Sequence, residues 1–216
     1  MPKLDESEFD KESEIEKKYK FHRKQNSDPR YGEFTILKNQ QTFQLIMMKD
    51  KVVNTKDIMV KEILQCKERM RLKHKNLIEL LDYSTHKQSD FCSTFYTLRL
   101  FYEYESNDMR REMKERMTQG RCFTMEELTH MLYNMIDAGA YLQHNGVAHN
   151  DMRPCFMHIT EWQSFKLGDR MNDGVTHPQN QMNIMVSGKE LYMSPSLFVA
   201  LKRGNLKVIL SIKFKF

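Results

Sequence analysis

The chain has 216 residues, 34 of them basic and 29 acidic, a net charge of +5 and a hydrophobic share of 40%. That length can bury roughly 70% of the unfolded surface, enough for one substantial core or two small lobes. Intermixed charges of both signs argue against a nucleic-acid track, and no apolar run approaches the roughly 18 residues of a membrane span. The polar, charged start is unlike a signal peptide, and Cys66, Cys92, Cys122 and Cys155 have neither disulfide-rich nor zinc-like spacing. An intracellular, cytoplasmic protein with reduced thiols is expected, with no nucleic-acid or membrane partner.

Residues 1 to 26 pass from acidic (Asp5, Glu6, Glu8, Asp10, Glu12) to basic (Lys17, Lys18, Lys20, Arg23, Lys24) with few core-forming side chains, which predicts a disordered or frayed leader. The β-rich runs Phe34 to Leu37 and Phe43 to Met48 flank the polar Lys38-Asn39-Gln40-Gln41, a hairpin signal. Residues 57 to 72 place Ile58, Ile63, Leu64, Met70 and Leu72 among charges, an imperfect amphipathic helix. Leu77 to Tyr83 and Phe95 to Tyr102 read as further strands. From Met125 to His144 the period changes to that of a helix, with Leu128, Leu132, Met135, Ala138 or Gly139, and Leu142 on the face expected to be buried, and with Thr124 and Glu127 as a capping box.

Two later motifs carry chemistry. His149-Asn150-Asp151-Met152-Arg153-Pro154 is followed by Lys166-Leu167-Gly168-Asp169, so that Asp169 lies eighteen residues after Asp151. These segments resemble the catalytic loop H-R-D-L-K-P-x-N and the metal-binding K-x-x-D-F-G motif of the eukaryotic protein kinases. Lys49, closing Ile46-Met47-Met48-Lys49, resembles the lysine of V-A-I-K. His74-Lys75-Asn76-Leu77 resembles the H-P-N-I turn, Phe101 to Tyr104 the last central strand and hinge, and Gly188 to Ser196 the end of the activation segment.

The resemblance implies an α+β, protein kinase-like two-lobed fold: a kinase-like domain over residues 27 to 204, with a β-rich N-lobe of about five antiparallel strands and one helix (27 to 102), a hinge (103 to 105) and an incomplete helical C-lobe (106 to 204). Residues 205 to 216 form an atypical tail that resembles no kinase element, and the family's late helices are expected to be missing. The implied cofactors are ATP and Mg²⁺. The implied roles are Asp151 as base, Arg153 on the γ-phosphate, Lys49 and Gly32 on the phosphates, Glu103 and Tyr104 at the hinge, and Asp169 on the metal, with Lys49 and Asp169 facing a common cleft. Glu62, Gln65 and Glu68 are alternative helix partners for Lys49.

The departures are chemical. Phe156 stands where the family has a metal-binding asparagine, and a phenyl ring cannot ligate Mg²⁺. Pro29 falls in the glycine-loop segment, where only Gly32 of three glycines remains, and removes an N–H donor. Met47 replaces a small alanine, Arg170 replaces an aromatic, and Ser196 replaces a glutamate. These changes favour a pseudokinase, a binding or scaffolding module with weak or absent ATP binding. The alternatives are an active Ser/Thr kinase using Asp151 and Asp169, and a truncated fragment without independent function.

Overall fold

The computed structural model describes residues 5–28, 32–90, 93–147, 149, 152–160 and 163–168. The chain divides into two units, Met1–Glu105 and Ser106–Phe216, and each is described by itself.

The first unit is built on a five-stranded antiparallel sheet of order β1-β2-β3-β5-β4, from β1 (Tyr19–Asp28), β2 (Gly32–Asn39), β3 (Leu45–Val53), β4 (Leu80–Asp90) and β5 (Ser93–Glu103). The β2–β3 turn has its own chemistry: Asn39 Oδ1 accepts from the amides of Gln41 (2.8 Å) and Thr42 (3.1 Å). Such side-chain-to-backbone bonds are why asparagine starts turns. Strand alternation sorts the residues of β3 to opposite faces. Ile46 clusters with Leu37 and Phe101 on one face, against Ile15, Tyr19 and Met48.

The helix α2 (Lys56–Met70) begins at Thr55, whose hydroxyl accepts from the Ile58 amide, and buries Met59, Ile63 and Cys66. That i, i+4, i+7 spacing is one helical stripe.

Of the segment 1 to 26, expected as a disordered or frayed leader, residues 5 to 26 are described and are folded. They form a 3₁₀ turn (Glu6–Phe9), the short helix α1 (Glu14–Lys18) and β1. The cause is long-range pairing that local composition does not show. Glu6 pairs with Lys56 at the start of α2, Glu8 with Lys67 in its last turn (2.5 Å), and Phe9 is buried against Tyr96. Lys11 exchanges backbone contacts with Thr85, donating to its hydroxyl and accepting from its amide (both 2.9 Å), so the outer edge of β4 is partly covered. Beyond it Ser13 Oγ donates to Asp82 (2.5 Å), and Glu16 and Asp50 hold Arg99 between them. The segment is a polar strap fastened at both ends of α2 and along β4.

In the second unit a small antiparallel sheet, β6 (Asn107–Asp108), β7 (Met157–Ile159) and β8 (Phe165–Leu167), accompanies α3 (Met109–Thr118) and α4 (Met125–His144). Asp108 caps α3 by accepting from the Arg111 amide (3.0 Å). The Thr124–Glu127 capping box is formed, and Arg116 of α3 clamps Glu127 through two nitrogens (2.9 and 2.7 Å) while bonding Glu112 (2.8 Å). Charge-assisted hydrogen bonding from Arg116 lowers the Glu127 carboxyl to about 2. At the far end of α4, Gly146 takes φ +69, the left-handed geometry that ends helices and that glycine adopts without strain.

One expectation for α4 needs correction. Met135, Ala138 and Leu142 are buried as the periodicity implies, whereas Leu128 and Leu132 are exposed. Apolar residues occupy two faces of this helix, and a count of helical spacing cannot tell which is covered.

Candidate functional site

In the second unit the two motif segments are brought together by the small sheet. Strand β7 follows the turn Pro154–Phe156, and the β7–β8 register, Met157 opposite Leu167, returns the chain to its starting point. Gly168 N–H then donates to the Phe156 carbonyl (2.7 Å), and the Phe156 amide donates to the Arg153 carbonyl (2.8 Å). His149 Nε2 lies 2.6 Å from the Gly168 carbonyl oxygen. A carbonyl only accepts, so Nε2 carries the proton in this bond. The histidine of the first motif is thereby tied to the glycine that precedes Asp169 in the second. Asp151 and Asp169 themselves lie outside the described residues, as do Asn150, Arg170, the segment Gly188 to Ser196 and residues 205 to 216.

Phe156, which stands where the resembled family has a metal-binding asparagine, is a buried hydrophobic side chain. Phe156 is 2% exposed, the edge-on His149 ring lies 6.5 Å from it, and the Arg153 guanidinium sits over it at 5.1 Å. This is a cation–π arrangement. No oxygen donor is available from Phe156, and among the described residues no three His, Cys, Asp or Glu side chains are grouped to hold a metal. Phe156 therefore cannot be one of the oxygen ligands that near-octahedral Mg²⁺ takes.

In the first unit, Lys49 is half-buried on β3 opposite Leu100. An ion pair between β3 and α2 is made by Lys51, whose Nζ is 2.8 Å from Glu62 Oε1. Lys51 is two residues beyond Lys49 and shares its strand face by the period of two. Of the three alternatives on α2, Glu62 pairs with Lys51, while Gln65 and Glu68 are exposed. Motif counting fixed attention on Lys49 and missed Lys51; the alternation of charges in Lys49-Asp50-Lys51 was the signal that could have found it.

Met47 and Tyr102 are register partners on β3 and β5, 3% and 0% exposed. At the end of β5, Glu103 N–H donates to the Glu79 carbonyl (3.0 Å), and the Glu79 amide donates to a Glu103 carboxylate oxygen. The Tyr104 ring packs on Phe34 (6.4 Å), and its hydroxyl accepts from Arg23 (3.3 Å). Gly32 opens β2 and pairs with Asp28, while Pro29 is outside the described residues. Among the described residues no helix is long and apolar enough to cross a membrane.

No protein-family profile matches the chain. Over 153 residues, 70% of its length, the chain is 26% identical to the serine/threonine-protein kinase PLK4 of Danio rerio, and it spans 15% of that protein's length. This similarity points to a relationship with Ser/Thr kinases. The mixed architecture and the five-stranded antiparallel sheet are consistent with a kinase N-lobe.

Proposed function

We propose that the chain is a pseudokinase-type module: kinase-derived, binding a protein partner, and without efficient phosphotransfer. Burial of Phe156 carries this reading. A side chain sealed between Arg153 and His149 supplies neither the metal oxygen nor the vacancy for one, and it draws onto its own ring the arginine that the kinase resemblance would place on a γ-phosphate. Met47 supports the same conclusion from the other unit. It fills the interior beside Tyr102 where the family has an alanine under the adenine ring. Loss of a preorganised electrostatic group commonly costs about 10² to 10³ in rate. ATP and Mg²⁺ are the cofactors the resemblance implies, and weak or absent binding follows from these side chains.

Calorimetry with Mg-ATP tests the reading. The expected affinity is at best high micromolar to millimolar, on the order of −4 to −6 kcal/mol. Submicromolar binding that disappears in Lys49→Ala would overturn it.

A further inference from the structure

The two edges of the five-stranded sheet are finished differently. Along β4 the strap bonds Thr85 through Lys11, whereas β1 pairs with β2 and, among the described residues, with no other strand. Its outer N–H and C=O groups are therefore a template for one more strand. The side chains of that edge carry one sign of charge. Lys20, His22, Arg23 and Lys24 are exposed, no acidic residue lies between Tyr19 and Ser27, and Phe21 is 68% exposed among them. Lys24 meets Glu33 (2.8 Å), but Lys20 and Arg23 have no carboxylate partner among the described residues, and Arg23 donates to the Tyr104 hydroxyl instead. Lys20 also stands directly opposite Lys38 of β2, a like-charge pair that costs stability. Arg23 is opposite Ile36, two residues from Lys38, so the period of two sets Lys20, Lys38 and Arg23 on one face of the edge and Phe21, opposite Leu37, on the other.

We propose that β1 is a docking edge for an acidic, extended segment of another protein, added as a further strand with its carboxylates along Lys20, Lys38 and Arg23 and its apolar side chains beside Phe21. The Lys20–Lys38 pair selects an acidic partner, because a carboxylate between the two turns one repulsion into two attractions. In this mode of recognition backbone pairing supplies affinity and alternate side chains supply specificity. A second copy does not fit: any β1-to-β1 pairing over residues 20 to 24 sets cations against cations, which is how edge lysines keep like chains apart. A nucleic acid would satisfy the charges but not the strand's row of hydrogen-bonding groups. The inference holds whether or not the chain transfers phosphate.

A short peptide of alternating glutamate and valine, titrated into the full chain while hydrogen exchange is followed at the β1 amides, tests it. The expected result is saturable binding with slowed exchange at the amides of β1 that point away from β2. Lys20→Glu or Arg23→Glu should weaken it about tenfold or more, and Lys87→Glu on β4, at the other edge, should leave it unchanged. All three side chains are exposed, and Lys20→Glu also removes the like-charge contact with Lys38, so weaker binding is not loss of fold. No saturable binding at about millimolar peptide, binding that leaves β1 exchange unchanged, or an equal loss in Lys87→Glu would overturn the proposal. Slowed exchange at the same amides on self-association of the peptide-free chain would assign the edge to a second copy, and tighter binding of oligothymidylate at this edge would assign it to nucleic acid; either result would overturn it as well.

Discussion

The helices α2 and α4 solve the same problem differently. Each buries one apolar stripe, Met59, Ile63 and Cys66 in the first case and Met135, Ala138 and Leu142 in the second. Most of the remaining side chains of α2 are charged, and the helix is bound at both ends by the N-terminal strap, through Glu6–Lys56 and Glu8–Lys67, and to β3 through Glu62–Lys51. The remainder of α4 is apolar along much of its length. The contrast separates a helix completed by partners within its own unit from one that keeps an exposed apolar face among the described residues.

The largest expected effect concerns the buried stripe of α2. Ile63 is wholly buried, so Ile63→Ala should cost about 2 to 5 kcal/mol through lost transfer energy and the cavity left behind. Urea titration should show the loss as a lowered midpoint. A cost below about 1 kcal/mol would mean that α2 is not held by its apolar face and would erase the comparison.

The strap should be sensitive to acid. Burial opposes ionisation of Glu8, but hydrogen bonds from Lys67 and Tyr83 outweigh it and hold the carboxyl below its usual range. A carboxylate with a lowered folded-state value contributes stability above the ordinary value of about 4.3, and that contribution is lost as pH falls through the folded value. Wild-type stability should therefore decline from about pH 5 downward, and Glu8→Gln should remove part of that slope. Denaturation at a series of pH values in both proteins measures it; superimposable slopes would show that Glu8 does not fasten the strap.

A smaller effect is expected at the strand–helix ion pair. Lys51 and Glu62 are only partly exposed, and Lys51→Met should destabilise the protein by about 1 kcal/mol. In a double-mutant cycle with Glu62→Gln the two costs should be less than additive. Strict additivity would show that the 2.8 Å contact contributes nothing.

Much of the sheet was legible in the sequence because its strands obey local rules. The runs at Phe34 to Leu37 and Phe95 to Tyr102 lie within β2 and β5, and the polar turn between Lys38 and Gln41 sits in the hairpin it signalled. Thr124 and Glu127 announced the start of α4 for the same reason. The strap was not legible. Its order depends on partners such as Lys67 and Asp82, 59 and 69 residues away from Glu8 and Ser13, and its composition is that of a solvated leader. Within the candidate site, the substitution at Phe156 was visible in the sequence, whereas the arrangement of Arg153 and His149 around its ring was not. Lys51 escaped notice because a motif identifies one lysine, while a strand face carries every second residue.

The central claim is that a kinase-like loop has been kept while its phosphotransfer chemistry has been given up. The direct measurement is phosphate transfer from Mg-ATP to a generic protein substrate by the wild-type chain and by Asp151→Asn. The account predicts no turnover above background that depends on Asp151, since the buried Phe156 leaves one metal position without a ligand and engages Arg153. Robust wild-type turnover that is lost in Asp151→Asn would contradict it and establish an ordinary catalytic kinase.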